Sequence, residues 1–405
     1  MTAGPTPERL HALDALRASA LLLGVLLHAA MAYMPLPTGW AVRDASTSVL
    51  FSIFVLVVHS FRLEVFFLLA GFFGRLMHGR MGQAGFVRNR VQRILLPLVL
   101  GWFVVYPGLC FAWIWGLHPG GQPPPLLASF VVALGTIPKL FAPAHDFSLG
   151  HLWFLYYLAL IYAGFLALRL ALAAAPQVHT ALTNAGDAAV RFAFRGVRGL
   201  LLLVALTWPV LLLMKNPGVD TPDKDIVPHL APLLLYGGCF ALGWSLQRRR
   251  EVLSGVAGSW RAHTGVAVVA SLLTLAVAEP AMRAAGPARM LFQLAYATMM
   301  WGWALVSLGL FLRFRQTESS VWRYLADASY WVYLIHLPIV AAAQVALSRT
   351  PGSCGVKFLL VAALAAILSL ASYHLLVRPT PIGWLLNGRR YPIWRARVAV
   401  AKADC

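Results

Sequence analysis

Ten apolar runs, each long enough to cross a bilayer, take up most of this chain: residues 14–34, 48–75, 92–117, 150–174, 198–214, 230–247, 262–280, 289–313, 323–348 and 355–377. A helix needs about 20 apolar residues to cross the hydrocarbon core. Inside lipid its backbone polar groups must be satisfied within the segment, so a run of this kind is helical. The expected fold class is all-α, a polytopic transmembrane helix bundle of about ten spans. Within 405 residues these spans and their connections leave no room for a second soluble domain. Composition points the same way. The chain is 60% apolar and 12% charged, whereas soluble domains carry about 25% charged residues. Disorder is excluded by the apolar content. A further apolar piece at 126–141 follows Pro123, Pro124 and Pro125 and is broken by Pro138. It is too short to cross and is expected to be re-entrant or interfacial.

Charge sets the orientation. Lys and Arg number 33 against 14 Asp and Glu, a net charge of +19. With the N-terminus inside, the inner connections hold Arg75, Arg80, Arg88, Arg90 and Arg93, then Arg191, Arg195 and Arg198, then Arg248, Arg249, Arg250 and Arg261, then Arg313, Arg315 and Arg323. The outer connections hold only Arg43, Lys139, Lys215, Lys224, Arg283, Arg289, Arg349 and Lys357. This alternation predicts an even number of spans with both termini cytoplasmic. It also accounts for the net charge without nucleic acid, which is not an expected partner; the bilayer and its anionic head groups are. The opening MTAGPTPERLHALDALR does not read as a cleaved signal peptide, so the first helix is expected to remain as an anchor. Cys110, Cys239, Cys354 and Cys405 have no metal spacing, and no H-x-x-x-H, Walker or G-x-S-x-G pattern occurs. No metal is expected. No internal repeat is visible, which disfavours a transporter built from two halves.

The first helix, LDALRASALLLGVLLHAAMAYM, carries Arg17 and His28. They are eleven positions apart; at about 100° per residue they fall roughly 20° from the same face. Along the axis they are separated by roughly 16 Å. Asp14 is on that face one turn before Arg17 and can pair with it. An ionisable face on a membrane helix is costly and points to function. Each residue also has a plainer reading: His28 as a satisfied interior histidine, Arg17 as a snorkelling interfacial cation.

The second run, FVLVVHSFRLEVFFLLAGFF, places Arg62 and Glu64 deep among apolar residues. Two positions apart, they point about 200° away from each other and cannot neutralise each other along the helix. Each needs a partner on another helix, a polar cavity or a substrate. Arg88, Arg90 and Arg93 in VRNRVQR form a basic cluster suited to phosphate oxygens, and equally an ordinary positive-inside connection. His151 opens GHLWFLYYL, and His336 lies in ASYWVYLIHLP before Pro338, a plausible kink. Both suit a substrate hydroxyl or carboxylate, and both have a structural alternative.

Taken in order, LDALRASALLLGVLLH with its R-x10-H spacing, FRLEVFFLLAGFF, the R-x-x-R of Arg90 and Arg93, GHLWFLYYL and ASYWVYLIHLP resemble the membrane acyltransferase 3 family. The tail LVRPTPIGWLLNGRR is similar to that of a glucan-modifying subgroup. The resemblance implies an O-acyltransferase that takes an acyl group from cytoplasmic acyl-CoA, acetyl-CoA or succinyl-CoA, and gives it to a hydroxyl of an extracytoplasmic glycan such as a periplasmic glucan. No bound cofactor is expected, and the +19 charge and its asymmetry between connections suit a bacterial inner membrane. Residues 1–385 are then one integral membrane acyltransferase domain, and 386–405 a basic cytoplasmic tail. His28 and Arg17 carry over as the catalytic pair, with Asp14 orienting Arg17 and with Arg90 and Arg93 at the cytoplasmic mouth. His28 suits either a general base or a covalent acyl carrier. Arg62 suits the thioester carbonyl or a dicarboxylic acyl group, and Glu64, His151 and His336 are further candidates for substrate contact. The competing reading is a transporter or flippase of a glycan or lipid intermediate, which also needs charged helices around a cavity.

Overall fold

A computed structural model of the chain describes residues 11–36, 39–117, 122–139, 147–224, 226–283, 286–315, 317–388 and 391. Most of the tail expected over 386–405 therefore lies outside the described residues. The described residues form helices and short connections, with no strand among them. The α-helices are α1 His11–Ala30, α2 Val49–Arg90, α3 Leu96–Leu117, α4 Leu126–Leu134, α5 Trp153–Ala173, α6 Pro176–Ala193, α7 Gly196–Leu211, α8 Leu230–Leu246, α9 Leu253–Ala276, α10 Ala278–Arg283, α11 Pro287–Phe314, α12 Ser320–Ser348, α13 Cys354–Ser372 and α14 Pro381–Asn387.

Among the described residues, seven continuous segments are long and apolar enough to cross a membrane: His11–Tyr33, Val49–Leu117, Gly150–Ala173, Leu230–Ala276, Pro287–Phe314, Ser320–Ser348 and Cys354–Val377. Two of them run to 69 and 47 residues, well beyond the roughly 20 that one crossing uses. Both change direction internally. The longer bends at Gly82, whose φ of 67° favours glycine, and passes through a π-helical turn at Val91–Leu95. The shorter passes through a 3-10 stretch at Gln247–Val252 with Arg249 off helical geometry. α7 has 16 residues and is shorter than the seven. The outward faces are apolar: Leu201 on α7, Val269 on α9 and Leu359 and Ile367 on α13 are each more than 60% exposed. Faces of that kind suit hydrocarbon and not water.

The stretch 176–193 folds as a helix rather than as an open connection. α6 lies along the bundle with Asp187, Val190 and Ala193 buried. Asp187 accepts from Arg248 Nη2 at 2.5 Å and Arg249 Nε at 2.9 Å, tying α6 to the turn between α8 and α9. Burial alone would raise the Asp187 carboxyl, but these two guanidinium bonds hold it below the usual carboxylate range. α4, nine residues long, measures only about 14 Å and is too short to cross a core of about 30 Å.

α1 sits inside the bundle against α2, α11, α12 and α13, while α2 packs along α8. Two glycines permit that last contact. A Cβ on Gly71 would collide with the Phe240 carbonyl, and one on Gly243 with the Leu68 carbonyl. Small residues let membrane helices approach to backbone contact. Gly243→Ala is expected to cost about 1–3 kcal/mol by overpacking, read as a lower thermal midpoint of protein in lipid. Gly164→Ala, where a Cβ meets nothing within 4 Å, is the control and should melt no lower than wild type.

Candidate functional site

Three histidines from distant parts of the sequence meet at one end of the bundle. His28 is in the last turn of α1, His336 is in α12, and His151 is in the 3-10 turn Gly150–Leu152 before α5. Ring centroids of His28 and His336 are 5.1 Å apart, those of His151 and His336 5.0 Å, and those of His28 and His151 6.4 Å. The α1–α12 contact brings them together, and Gln344 of α12 holds it. Its Nε2 donates to the carbonyls of His28 at 3.0 Å and Ala29 at 2.9 Å. Those are carbonyls at a helix end, which have no partner inside the helix. Gln344 Oε1 accepts from Trp40 Nε1 at 2.7 Å, and the Trp40 ring stacks on His28 at 5.8 Å with 11° between planes.

Hydrogen-bond partners assign the tautomers. His336 Nδ1 lies 2.8 Å from the Tyr333 carbonyl and 3.1 Å from that of Val332. A carbonyl only accepts, so Nδ1 carries the proton and, in the neutral ring, Nε2 offers a lone pair. His28 Nδ1 stands 2.9 Å from that Nε2 and donates to it. The other nitrogen of His28, Nε2, is thereby the unprotonated one. His151 Nε2 donates to the same Tyr333 carbonyl at 2.8 Å, and Tyr333 Oη donates back to the His151 carbonyl at 2.8 Å. His151 Nδ1 is buried without a hydrogen-bond partner. Pro338, inside α12, has no N–H to give the Leu334 carbonyl four positions earlier.

The three rings line a cavity of about 680 Å³. Arg62 also lines it, with its side chain buried and its Nε without a partner. Gly24 of α1 makes room for the guanidinium, since a Cβ there would run into Arg62 Nη1. Trp40, Trp113 and Tyr106 supply aromatic wall, and Asp223 and Lys224 supply charge. His59 lies in the wall with Nε2 3.3 Å from Thr221 Oγ1. The arrangement offers a base, a cation for a developing oxyanion, and apolar walls that exclude water. Among the described residues no group of three side chains is placed to hold a metal.

Sequence reasoning named four of these residues, His28, Arg62, His151 and His336, and the structure gathers them. It missed His59, Trp40, Tyr333 and Gln344. His59 had a signal, because it stands three positions before Arg62 and so on the same helix face. The other three had none, since their roles depend on helix pairing.

The remaining candidates lie elsewhere. Arg17 Nη2 is 3.5 Å from Asp14 Oδ1, and its guanidinium sits over Phe73. Neither lines the cavity. Glu64 is 1% exposed and both carboxylate oxygens are buried without a hydrogen-bond partner; its electrostatic neighbours are Arg62, Tyr236, Cys239 and Tyr296. Arg90 is packed over the rings of Phe86 and Tyr162 and donates to Tyr162 Oη at 3.2 Å and Asn89 Oδ1 at 2.5 Å. Arg93 lies against Gly388, and its carbonyl accepts from Tyr330 Oη at 2.5 Å.

Comparison with known proteins bears on what this site does. Glucans biosynthesis protein C of Escherichia coli K12 is 32% identical over 96 residues, 24% of this chain and 24% of that protein. The proteins of the same name from strains O1:K1 and O157:H7 match at the same identity and coverage. The aligned stretch thus spans about a quarter of the length of these relatives. No solved structure matches. The family model described as an acyltransferase domain matches residues 10–377, nearly the whole chain. The chain belongs to this acyltransferase family.

Proposed function

We propose that the chain is a membrane O-acyltransferase that carries an acyl group from acyl-CoA to a hydroxyl of a glycan on the opposite side of the membrane. The observation that carries this reading is the His28–His336 hydrogen bond on the wall of a cavity that also holds Arg62. In the proposed reaction the acceptor hydroxyl oxygen attacks the thioester carbonyl carbon while His28 Nε2 takes the hydroxyl proton. The new C–O bond gives a tetrahedral oxyanion, which the Arg62 guanidinium stabilises. Collapse breaks the C–S bond, and the departing thiolate recovers the proton from His28. Trp40 and Trp113, edge to face at 5.3 Å, suit the C–H face of a sugar ring.

The chain is read as crossing the bilayer ten times, with the 69- and 47-residue segments each crossing twice and the shorter α7 making the tenth crossing. Both termini are then cytoplasmic, and the histidine cavity opens to the outer side of a bacterial inner membrane. Asp14 and Arg17, at the other end of α1, meet the phosphate or pantetheine part of the donor. The relatives named for glucan biosynthesis favour a glucan as acceptor and leave acetyl and succinyl groups as candidate cargo.

The test uses purified full-length protein in lipid with labelled acetyl-CoA and succinyl-CoA, each offered with a periplasmic glucan. Label on the glucan supports the reading and identifies the donor. Absence of any acyl-CoA turnover overturns it in favour of transport of a glycan or lipid intermediate.

A further inference from the structure

A second cavity, about 700 Å³ in volume, lies at the opposite end of the bundle between α2, α5, α6 and α8. Its chemistry differs from that of the histidine cavity. Arg75, Arg80, Arg169 and Arg248 line it, with His78 and His179 beside them. The guanidiniums of Arg75 and Arg169 flank the Trp244 ring at 5.7 and 5.4 Å. Among the described residues neither arginine has an ion-pair partner, and Arg169 Nε is buried without a hydrogen bond. The nearby carboxylate, Asp187, is engaged by Arg248 and Arg249. The site therefore carries uncompensated positive charge in a partly desolvated setting, where a cation is costly without an anion.

The rest of the wall is apolar. Leu168 and Leu182 are more than half exposed on the outer surface of the bundle. Leu172 and Phe165 continue that wall inward. A cluster of guanidiniums at the end of membrane helices, beside an apolar slot open to the bilayer, matches a phosphate group that carries acyl chains. α2 and α8, which both line this pocket, are packed together through Phe67 stacked on Tyr236 at 4.4 Å and through the backbone contacts at Gly71 and Gly243.

We propose that this pocket binds the phosphate of an anionic phospholipid, with Arg75 and Arg169 on the phosphate oxygens and the acyl chains along Leu168, Leu172 and Leu182. The inference does not depend on the acyl-transfer reading. It is tested on full-length protein in nanodiscs of phosphatidylcholine containing a minor fraction of phosphatidylglycerol or cardiolipin. Lipid retained after transfer to neutral detergent is counted by native mass spectrometry. Wild type is expected to retain anionic lipid, and Arg75→Gln/Arg169→Gln to bind it roughly thirtyfold more weakly, about fivefold per arginine. Arg75→Lys/Arg169→Lys keeps the charge and should recover much of the binding, which separates loss of the site from loss of the fold. Arg261→Gln, a surface arginine over Trp260, should retain lipid like wild type. A parallel arm offers adenosine 3′,5′-bisphosphate. Displacement by this nucleotide with no retained lipid, or equal retention by wild type and the glutamine variant, overturns the assignment.

Discussion

His28→Ala protein should fold, bind acyl-CoA and fail to transfer the acyl group. General-base removal lowers rates by about a hundred- to ten-thousand-fold. His151 directs its Nε2–H into the Tyr333 carbonyl, and His336 directs its Nδ1–H the same way. Neither replaces the His28 Nε2 at its position. His336 is a positioning residue in this scheme, since it acts through His28. Its Nε2 accepts the His28 Nδ1–H at 2.9 Å and so keeps the His28 proton on the nitrogen away from substrate. In a serine protease triad, disturbing the group that fixes the histidine tautomer costs about ten-thousand-fold. The effect here should be smaller, roughly a hundredfold for His336→Ala, because a neutral acceptor holds the ring less firmly than a carboxylate. The discriminating variant is His336→Gln. Its side-chain oxygen can occupy the place of Nε2 and accept the same proton, so it should retain clearly more activity than His336→Ala at unchanged KM for the donor. Labelled-acyl transfer with purified variants measures all three. Transfer by His28→Ala within threefold of wild type would remove His28 from the chemistry, and equal loss in His336→Gln and His336→Ala would reduce His336 to a packing residue.

These residues also show what a chain of this kind discloses before folding. Periodicity placed Arg17 and His28 on one face of α1, and the helix is there from His11 to Ala30. Periodicity could not say which of the two faces a cavity, because that depends on neighbouring helices. The structure answers with His28 in the cavity and Arg17 over Phe73 at the far end. Arg62 borders the histidine cavity and Glu64 is not among its lining residues, yet the two still interact electrostatically with each other and with Tyr236. Gln344 and Trp40 were invisible because their significance lies in hydrogen bonds spanning 304 to 316 positions. Arg90 and Arg93 carried a motif whose spacing suits phosphate, yet Arg90 is spent on two aromatic rings and a tyrosine hydroxyl. A sequence motif states which side chains are near each other, not what has already claimed them. The helix α6 went unread for a related reason. Its polar stretch looks like a connection until Arg248 and Arg249 engage Asp187.

Lys357 is the sharpest instance, and its replacement should give the largest stability change in the molecule. Counted among the outer positive charges by position, it is buried at the start of α13, with Nζ 2.8 Å and 3.0 Å from the two oxygens of Asp44. The side chains of Lys357 and Asp44 are 5% and 1% exposed. Asp44 also accepts from Ser46 N at 2.9 Å, and Ser46 Oγ accepts from Cys354 N at 3.0 Å. The connection between α1 and α2 is thus fastened to α13 next to the segment that carries Trp40. Removing one partner of a buried pair leaves the other charge without compensation, which costs about 3–5 kcal/mol. Lys357→Ala and Asp44→Ala are each expected to lose about that much, measured by thermal or chemical unfolding in lipid or mild detergent. Replacing both with neutral residues of similar volume, Asp44→Asn with Lys357→Met, removes the buried charges together and should return most of the loss. Additive losses in the double variant would show that the two residues act separately. The catalytic readout then separates stability from positioning. If the pair serves to hold the Trp40 shelf over His28, the double variant should recover its melting temperature and its transfer rate together. Recovery of the melting temperature alone would mean that the charges themselves, and not merely the tether, set the geometry at the histidine cavity.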